Sequence, residues 1–293
     1  MLQTALFDHP PKRLLAPPKG QLLKWIGNKQ RFAQEIVRYF PEEFGSYFEP
    51  FLGSGALLAA LAPKRGYASD TFAPLVEIWQ TLKSDPATLK SWYSKRWRLI
   101  DRLGKKEAYE TVLASYNSRP NGADLVFLCR ACYGGVVRFR KQDGYMSTPC
   151  GVHMPISPSS FAKRVDAWHV RVRRTQFRRA DYEVSMNAAA RGDLVYCDPP
   201  YSHSQAILYG AQDFSLAHLL EVIADCKRRG AFVVLSIDGK KRSGNLICDL
   251  PFPDGLFERE IFIETGRSML RRFQMNGQTL EGEVVADRLL LTF

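Results

Sequence analysis

The chain has 293 residues, 45% hydrophobic and 24% charged, enough for one large core or a core carrying an insertion. Its 41 Lys+Arg against 30 Asp+Glu give a net charge of +11, which favours a polyanionic partner, nucleic acid ahead of an anionic membrane. The longest apolar run, "GALLAALA" from Gly55, is far too short to span a bilayer, so no membrane partner is expected.

Residues 1–20 are interrupted by prolines and place no basic segment ahead of an apolar one, so they are read as an extended lead rather than an export signal. From about Asn28, "NKQRFAQEIVRYF" spaces Phe32, Ile36, Val37 and Phe40 as one face of a helix. "SYFEPF" reads as a strand, "LGSG" as a glycine turn, "GALLAALA" as a helix and "GYASD" as a second strand ending on Asp70. Strand, glycine turn, helix, strand and acid form the pattern of a nucleotide-binding βαβ unit. Gly53 and Gly55 allow close backbone approach to a ligand, and Asp70 stands where an acid accepts hydrogen bonds from ribose hydroxyls. The turn has no following Lys-Ser/Thr, which argues against a phosphate-binding P-loop.

Between about Ala73 and Trp168 the pattern changes to helical segments rich in Trp, Tyr, Leu and Lys. "CRACYGGVVRFRKQDGYMSTPCG" follows, with glycines and alternation that predict a hairpin. "FAKRVDAWHVRVRRTQFRR" carries seven Lys/Arg against one acid, a solvated face or a phosphate-contacting one. Strands are then expected at "TQFRRAD", "DLVYCD", "AFVVLSID", "FEREIFIET" and "EVVADRLLLTF", with a helix at "SLAHLLEVIADCKRRG". The division expected is a lead over 1–20, an α/β domain over 21–74 and 171–293, and an inserted region over 75–170. Near the C-terminus Arg271 and Arg272 precede an Asn-Gly turn, a polar hairpin tip or a DNA-backbone contact. The six cysteines are scattered; Cys129 and Cys132 form one CxxC that no second pair or histidine cluster completes, so no metal site is expected and free thiols in a cytoplasm are.

The strand at "DLVYCDPPYSH" ends on Asp198, Pro199, Pro200 and Tyr201. Two prolines stop a sheet ladder abruptly and fix the backbone on either side. This is either a rigid turn or a catalytic loop that holds Asp198 and Tyr201 in place.

"LLKWIGNKQRF", "FEPFLGSGA" and "DPPY", in this order, resemble the Dam-like α class of DNA adenine-N6 methyltransferases, over roughly Leu22 to Phe293. The resemblance implies a Rossmann-like, S-adenosylmethionine-dependent methyltransferase fold with an inserted helical and β-hairpin DNA-recognition region. It implies that Trp25 and Lys29 line the methionine side of the cofactor, that Phe51, Gly53 and Gly55 form the loop beneath it, and that Asp70 binds its ribose. "FRRADY" resembles the family's adenine-holding segment, which would put Asp181 and Tyr182 at the cofactor's adenine. Arg138 falls where the family commonly has a base-contacting arginine, and Arg140 stands where it usually has asparagine, a departure that argues against the family's familiar GATC target. Lys24 is a further DNA-contact candidate.

The loop has a chemical rationale within that family. The N6 lone pair of adenine is delocalised into the ring, so a site that helps must accept hydrogen bonds from both amino protons. Asp198 supplies one acceptor and the Pro199 carbonyl another, held rigid by the following Pro200. Tyr201 offers a flat face for a base flipped from the duplex. The partner expected is double-stranded DNA, with a cognate restriction endonuclease as a further kind of partner. The rival readings are cytosine-N4 methylation, RNA methylation, and a catalytically silent DNA-binding relative.

Overall fold

The computed structural model describes residues 18–140, 142–200, 214–241, 252–267 and 284–293. Its centre is a seven-stranded sheet in the order β3-β2-β1-β4-β5-β7-β6. β1 (Tyr47–Glu49), β2 (Gly66–Asp70), β3 (Thr175–Arg179), β4 (Leu194–Cys197) and β5 (Phe232–Lys241) run parallel. β7 (Val284–Leu291) enters antiparallel between β5 and β6 (Arg259–Arg267). This is a Rossmann-like doubly wound sheet, and it reverses direction of winding between β1 and β4, where ligands of open α/β sheets bind.

The strands read as apolar on both faces because both are covered. Tyr47, Leu194 and Tyr196 pack into one core with α1 (Ala33–Val37) and α2 (Ala56–Leu61), while Phe48, Val195 and Cys197 pack into a second with α9 (Tyr182–Asn187) and α10 (Leu216–Arg228). Successive side chains of one strand thus serve opposite cores.

Between β2 and β3 the chain builds α3 (Ala73–Ser84), α4 (Pro86–Trp97), α5 (Leu99–Leu103), α6 (Lys105–Ser118), α7 (Gly122–Ala131) and α8 (Pro158–Val172). The first core continues into them through Trp79, Tyr93, Tyr109, Phe127, Phe161 and Trp168. Proline at the first helical turn starts α3, α4 and α8, and Asp85, Asn121 and Ser157 cap α4, α7 and α8 with their side chains.

Three expectations shift. The helix expected from Asn28 begins only at Ala33, because the Asn28 side chain accepts the Gln30 N–H at 2.8 Å and turns the chain first. "CRA" belongs to α7, whose ten residues are all buried, so the hairpin starts only after Cys132. It is tied by two isolated antiparallel bridges, Cys132 to Cys150 and Phe139 to Met146, rather than by paired strands. The basic stretch from Phe161 is an amphipathic helix with Phe161, Val165, Trp168 and Val172 buried. Two of its arginines are used internally, Arg164 donating to the Gln21 carbonyl at 2.7 Å and Arg171 to the Ala59 carbonyl at 3.3 Å.

Cys129 and Cys132 are both buried, and burial pushes the Cys129 thiol up to about 11. Among the described residues no group of three or more His, Cys, Asp or Glu side chains could hold a metal ion, and no helix is long and apolar enough to cross a membrane.

Candidate active site

A cleft of about 320 Å³ opens at the carboxyl ends of β1, β2 and β4, a volume at the lower end of the 300–1,000 Å³ usual for small-molecule sites. Trp25, Lys29, Phe51, Gly53, Asp70, Asp181, Tyr182, Asp198, Pro199 and Pro200 all line it, although they come from five separate stretches of sequence. Tyr201, Arg271 and Arg272 lie outside the described residues.

The floor is the turn after β1. Gly53 has φ +44° and Gly55 +60°, values that only glycine adopts cheaply. The two glycines do different work. Gly53 faces the cleft, and its N–H donates to Asp70 at 3.1 Å. Gly55 lies outside the lining: a Cβ there would sit 2.7 Å from the Trp79 ring, so its smallness makes room for packing rather than for a ligand. Trp79 in turn donates from Nε1 to the Gly53 carbonyl at 3.2 Å, so α3 of the inserted region buttresses the turn from below.

Asp70 ends β2 as expected, 6% exposed, with one oxygen accepting from Gly53 and the other from the Phe72 N–H at 3.0 Å. Each oxygen keeps a lone pair for a further donor. Burial pushes its carboxyl up to about 6, against the pull of the backbone N–H groups. Asp181 caps α9 by accepting the Glu183 N–H at 2.9 Å. Beside it Phe51 stacks on Tyr182 with centroids 5.2 Å apart, and Phe214 meets both edge-on, making an aromatic wall.

The far end of the cleft holds its charges. Lys29 is 6% exposed and pairs with Asp287 of β7 at 2.9 Å and with Asp198 at 3.5 Å. Burial alone would lower the Lys29 ammonium, but Asp198 and Asp287 outweigh it and raise it, so it stays charged. Asp198 is followed by proline, which restricts it to extended backbone. Glu49, at the end of β1, also lines the cleft; burial pushes its carboxyl up to about 8, despite the Tyr47 hydroxyl donating to it at 2.7 Å. Glu49 is therefore mostly neutral at pH 7.

Glu49 and Asp287 were missed by the sequence reading. The available signal was a carboxylate set within a largely apolar strand, as in "VVADRLLL".

The DNA-contact candidates lie apart from the cleft lining. Lys24 is exposed and packs across Gly135, where a Cβ would meet its side chain at 2.8 Å. Arg138 is exposed, with its N–H fixed by Thr148 Oγ1 at 2.8 Å. Arg140 is engaged within the hairpin: it donates twice to Asp143, at 3.1 and 2.7 Å, and stacks over Tyr145 at 4.2 Å. Phe139, between the two arginines, turns inward and meets Phe72 edge-on at 5.4 Å, and Phe72 packs against Trp25 of the cleft at 6.2 Å.

The sequence pattern of D12 class N6 adenine-specific DNA methyltransferases matches residues 25–262. The chain is 26% identical over 243 residues to the DNA N-6-adenine-methyltransferase of Escherichia phage P1, covering 79% of this chain but only 31% of that longer protein. It is 25% identical over 232 residues to type II methyltransferase M1.LlaDCHI of Lactococcus lactis subsp. cremoris, and 26% over 227 residues to the DNA adenine methylase of Vibrio cholerae, each covering 73% of this chain and 79% of the relative. With its motifs gathered at the switch point of a methyltransferase sheet, the chain belongs to the D12 class N6 adenine-specific DNA methyltransferase family.

Proposed function

We propose that the chain transfers the methyl group of S-adenosylmethionine to the N6 amino group of an adenine flipped out of duplex DNA. The observation that carries this is the convergence of Asp198, Pro199 and Pro200 with Gly53, Asp70 and Lys29 on one cleft.

The residues present fit such a donor. Asp70 retains acceptor capacity for a ribose, Phe51 and Tyr182 offer apolar faces to a purine, and the carboxylates at the far end complement a cation. The bound donor supplies an electrophilic methyl group on a positively charged sulfur. Trp25, Lys29, Phe51, Gly53, Asp70, Asp181 and Tyr182 are assigned to holding it. Gly55 supports the same turn through Trp79.

Asp198 and the Pro199 carbonyl would each accept a hydrogen bond from one N6 proton, so that the nitrogen lone pair is freed from the ring and aimed at the methyl carbon. With the donor bound, the carbon–nitrogen bond would form as the carbon–sulfur bond breaks, with the electron pair left on sulfur and one proton passing from the nitrogen to water. Acceptors fixed before the reaction need no reorganisation during it, which is where their catalytic value lies. Tyr201 is assigned to base stacking. Lys24, Arg138, Arg140, Arg271 and Arg272 are assigned to DNA, and restriction partnership and a cytoplasmic location accord with the type II relative and the basic charge.

The test is label transfer from methyl-tritiated donor to duplex DNA, single-stranded DNA and RNA, followed by separation of the nucleosides. Label in N6-methyladenine from duplex DNA is expected. Label in N4-methylcytosine, or in RNA alone, would overturn the reading.

A further inference from the structure

Asp287 stands outside the family's matched residues and outside every motif, yet among the described residues it pairs with Lys29 more closely than Asp198 does. It sits on β7, opposite Asp238 of β5, beyond the level at which β4 ends, because Cys197 pairs with Leu235 and Leu235 with Leu290. Lys29 spans from the N-terminal turn to both Asp287 and Asp198, closer to the first by 0.6 Å from the 2.9 and 3.5 Å contacts. All three side chains are largely out of water: 7% exposed for Lys29, 10% for Asp287 and 19% for Asp198.

The arithmetic of charge gives this geometry a consequence. One ammonium against one carboxylate would neutralise Asp198. Among the described side chains, one ammonium between two carboxylates leaves a net charge of −1 at the end of the cleft where Asp198 stands. We propose that Asp287 is a positioning residue that acts through Lys29: it takes up the ammonium's charge, keeps Asp198 an electron-rich acceptor, and makes the cleft favour a cationic methyl donor over the neutral thioether left after transfer. This rests on the reading of the cleft as the S-adenosylmethionine site. In the reaction the sulfur goes from +1 to neutral, so a −1 site holds the donor more strongly than the product and eases product release. The Lys29 ammonium is held charged by both carboxylates, consistent with a shared rather than a single pair.

The experiment is calorimetric titration of the full chain with S-adenosylmethionine and, separately, S-adenosylhomocysteine, for wild type, Asp287→Asn, Asp287→Ser and Asp287→Glu. Each neutral variant is expected to weaken binding of the cationic donor roughly three- to tenfold more than binding of the neutral product. Asp287→Glu should return the ratio towards wild type. At saturating donor and DNA, the neutral variants should lower kcat with the KM for DNA little changed. Equal weakening of both ligands, or no change in the ratio, overturns the proposal. So does loss of a cooperative melt in both neutral variants, which would make the pair a folding element. Absence of binding by the wild-type chain itself would instead sink the cofactor assignment, a separate result.

Discussion

Lys29 in the cleft pairs at 2.9 and 3.5 Å with two carboxylates and is 6% exposed, whereas Arg140 in the hairpin pairs with Asp143 at 2.7 Å with about half of each side chain in water. The distances are similar and the energetics are not. A pair in water contributes about 0–1 kcal/mol, because solvent already screens each charge. Removing one partner of a buried pair costs about 3–5 kcal/mol, because the other is left without solvent. The cleft therefore holds its groups in one arrangement, which suits bond making. The hairpin, tied by two isolated bridges, keeps arginines that can change partners, which suits reading a surface.

Breaking the buried side should give the largest effects. Lys29→Met leaves Asp198 and Asp287 facing each other, and a loss of about 3–5 kcal/mol is expected in urea melts; a loss below about 1 kcal/mol would show that the site is well solvated. Asp198→Ala should lower methyl transfer by about 10²-fold or more while donor binding persists, since the side chain faces the acceptor. Loss of the cooperative melt instead would make Asp198 structural. Gly55→Ala places a Cβ against Trp79 at a left-handed backbone, with about 1–3 kcal/mol of destabilisation expected from the backbone alone. Gly192→Ala, at φ +81° with nothing within 4 Å, is the comparison that lacks the clash.

The pH dependence sharpens the same contrast. Glu49 is raised by burial to about 8 in the folded chain from its ordinary value of 4.5. The folded state thus holds this proton more tightly than the unfolded one. Its contribution to stability is full below pH 4.5 and is lost as pH rises towards 8. Glu49→Gln should flatten that part of the stability profile, and an unchanged profile would contradict it. Asp70, at about 6, is a stronger acceptor for hydroxyls when ionised, so donor affinity is expected to fall as pH drops through 6. In the hairpin the smallest effects are expected. Arg140→Ala should cost under about 1 kcal/mol of stability. Arg138→Ala should relax sequence choice by about 1–3 kcal/mol, and equal weakening on all sequences would make it a phosphate contact.

The same division explains what the sequence made legible. Asp198 sits next to proline and Gly53 in a glycine turn, local signals whose backbone consequences are fixed over a few residues, and Asp70 ends the strand that follows that turn and its helix. The sheet residues alternate between two cores and so read as continuous apolar runs. Asp287 and Trp79 were not legible as parts of the cleft, since each reaches it through a packing partner distant in sequence, Lys29 and Gly53 respectively. The hairpin's start was misplaced because Cys129 to Ala131 are buried by contacts of α7 that no local pattern encodes. Arg140 was read as a DNA contact from its place in the motif; the pair it makes with Asp143, an acid three residues on in a Gly-containing turn, is half exposed and open to exchange for a phosphate.

The central claim is that Asp198, held at the end of β4, directs methyl transfer to adenine N6. The direct test is sequencing, with a method that reports modified bases, of DNA from cells expressing the wild-type chain or Asp198→Ala. N6-methyladenine in one recurring sequence, present with the wild type and absent with the variant, is the predicted result. N4-methylcytosine, or N6-methyladenine that persists in the variant, would contradict the account.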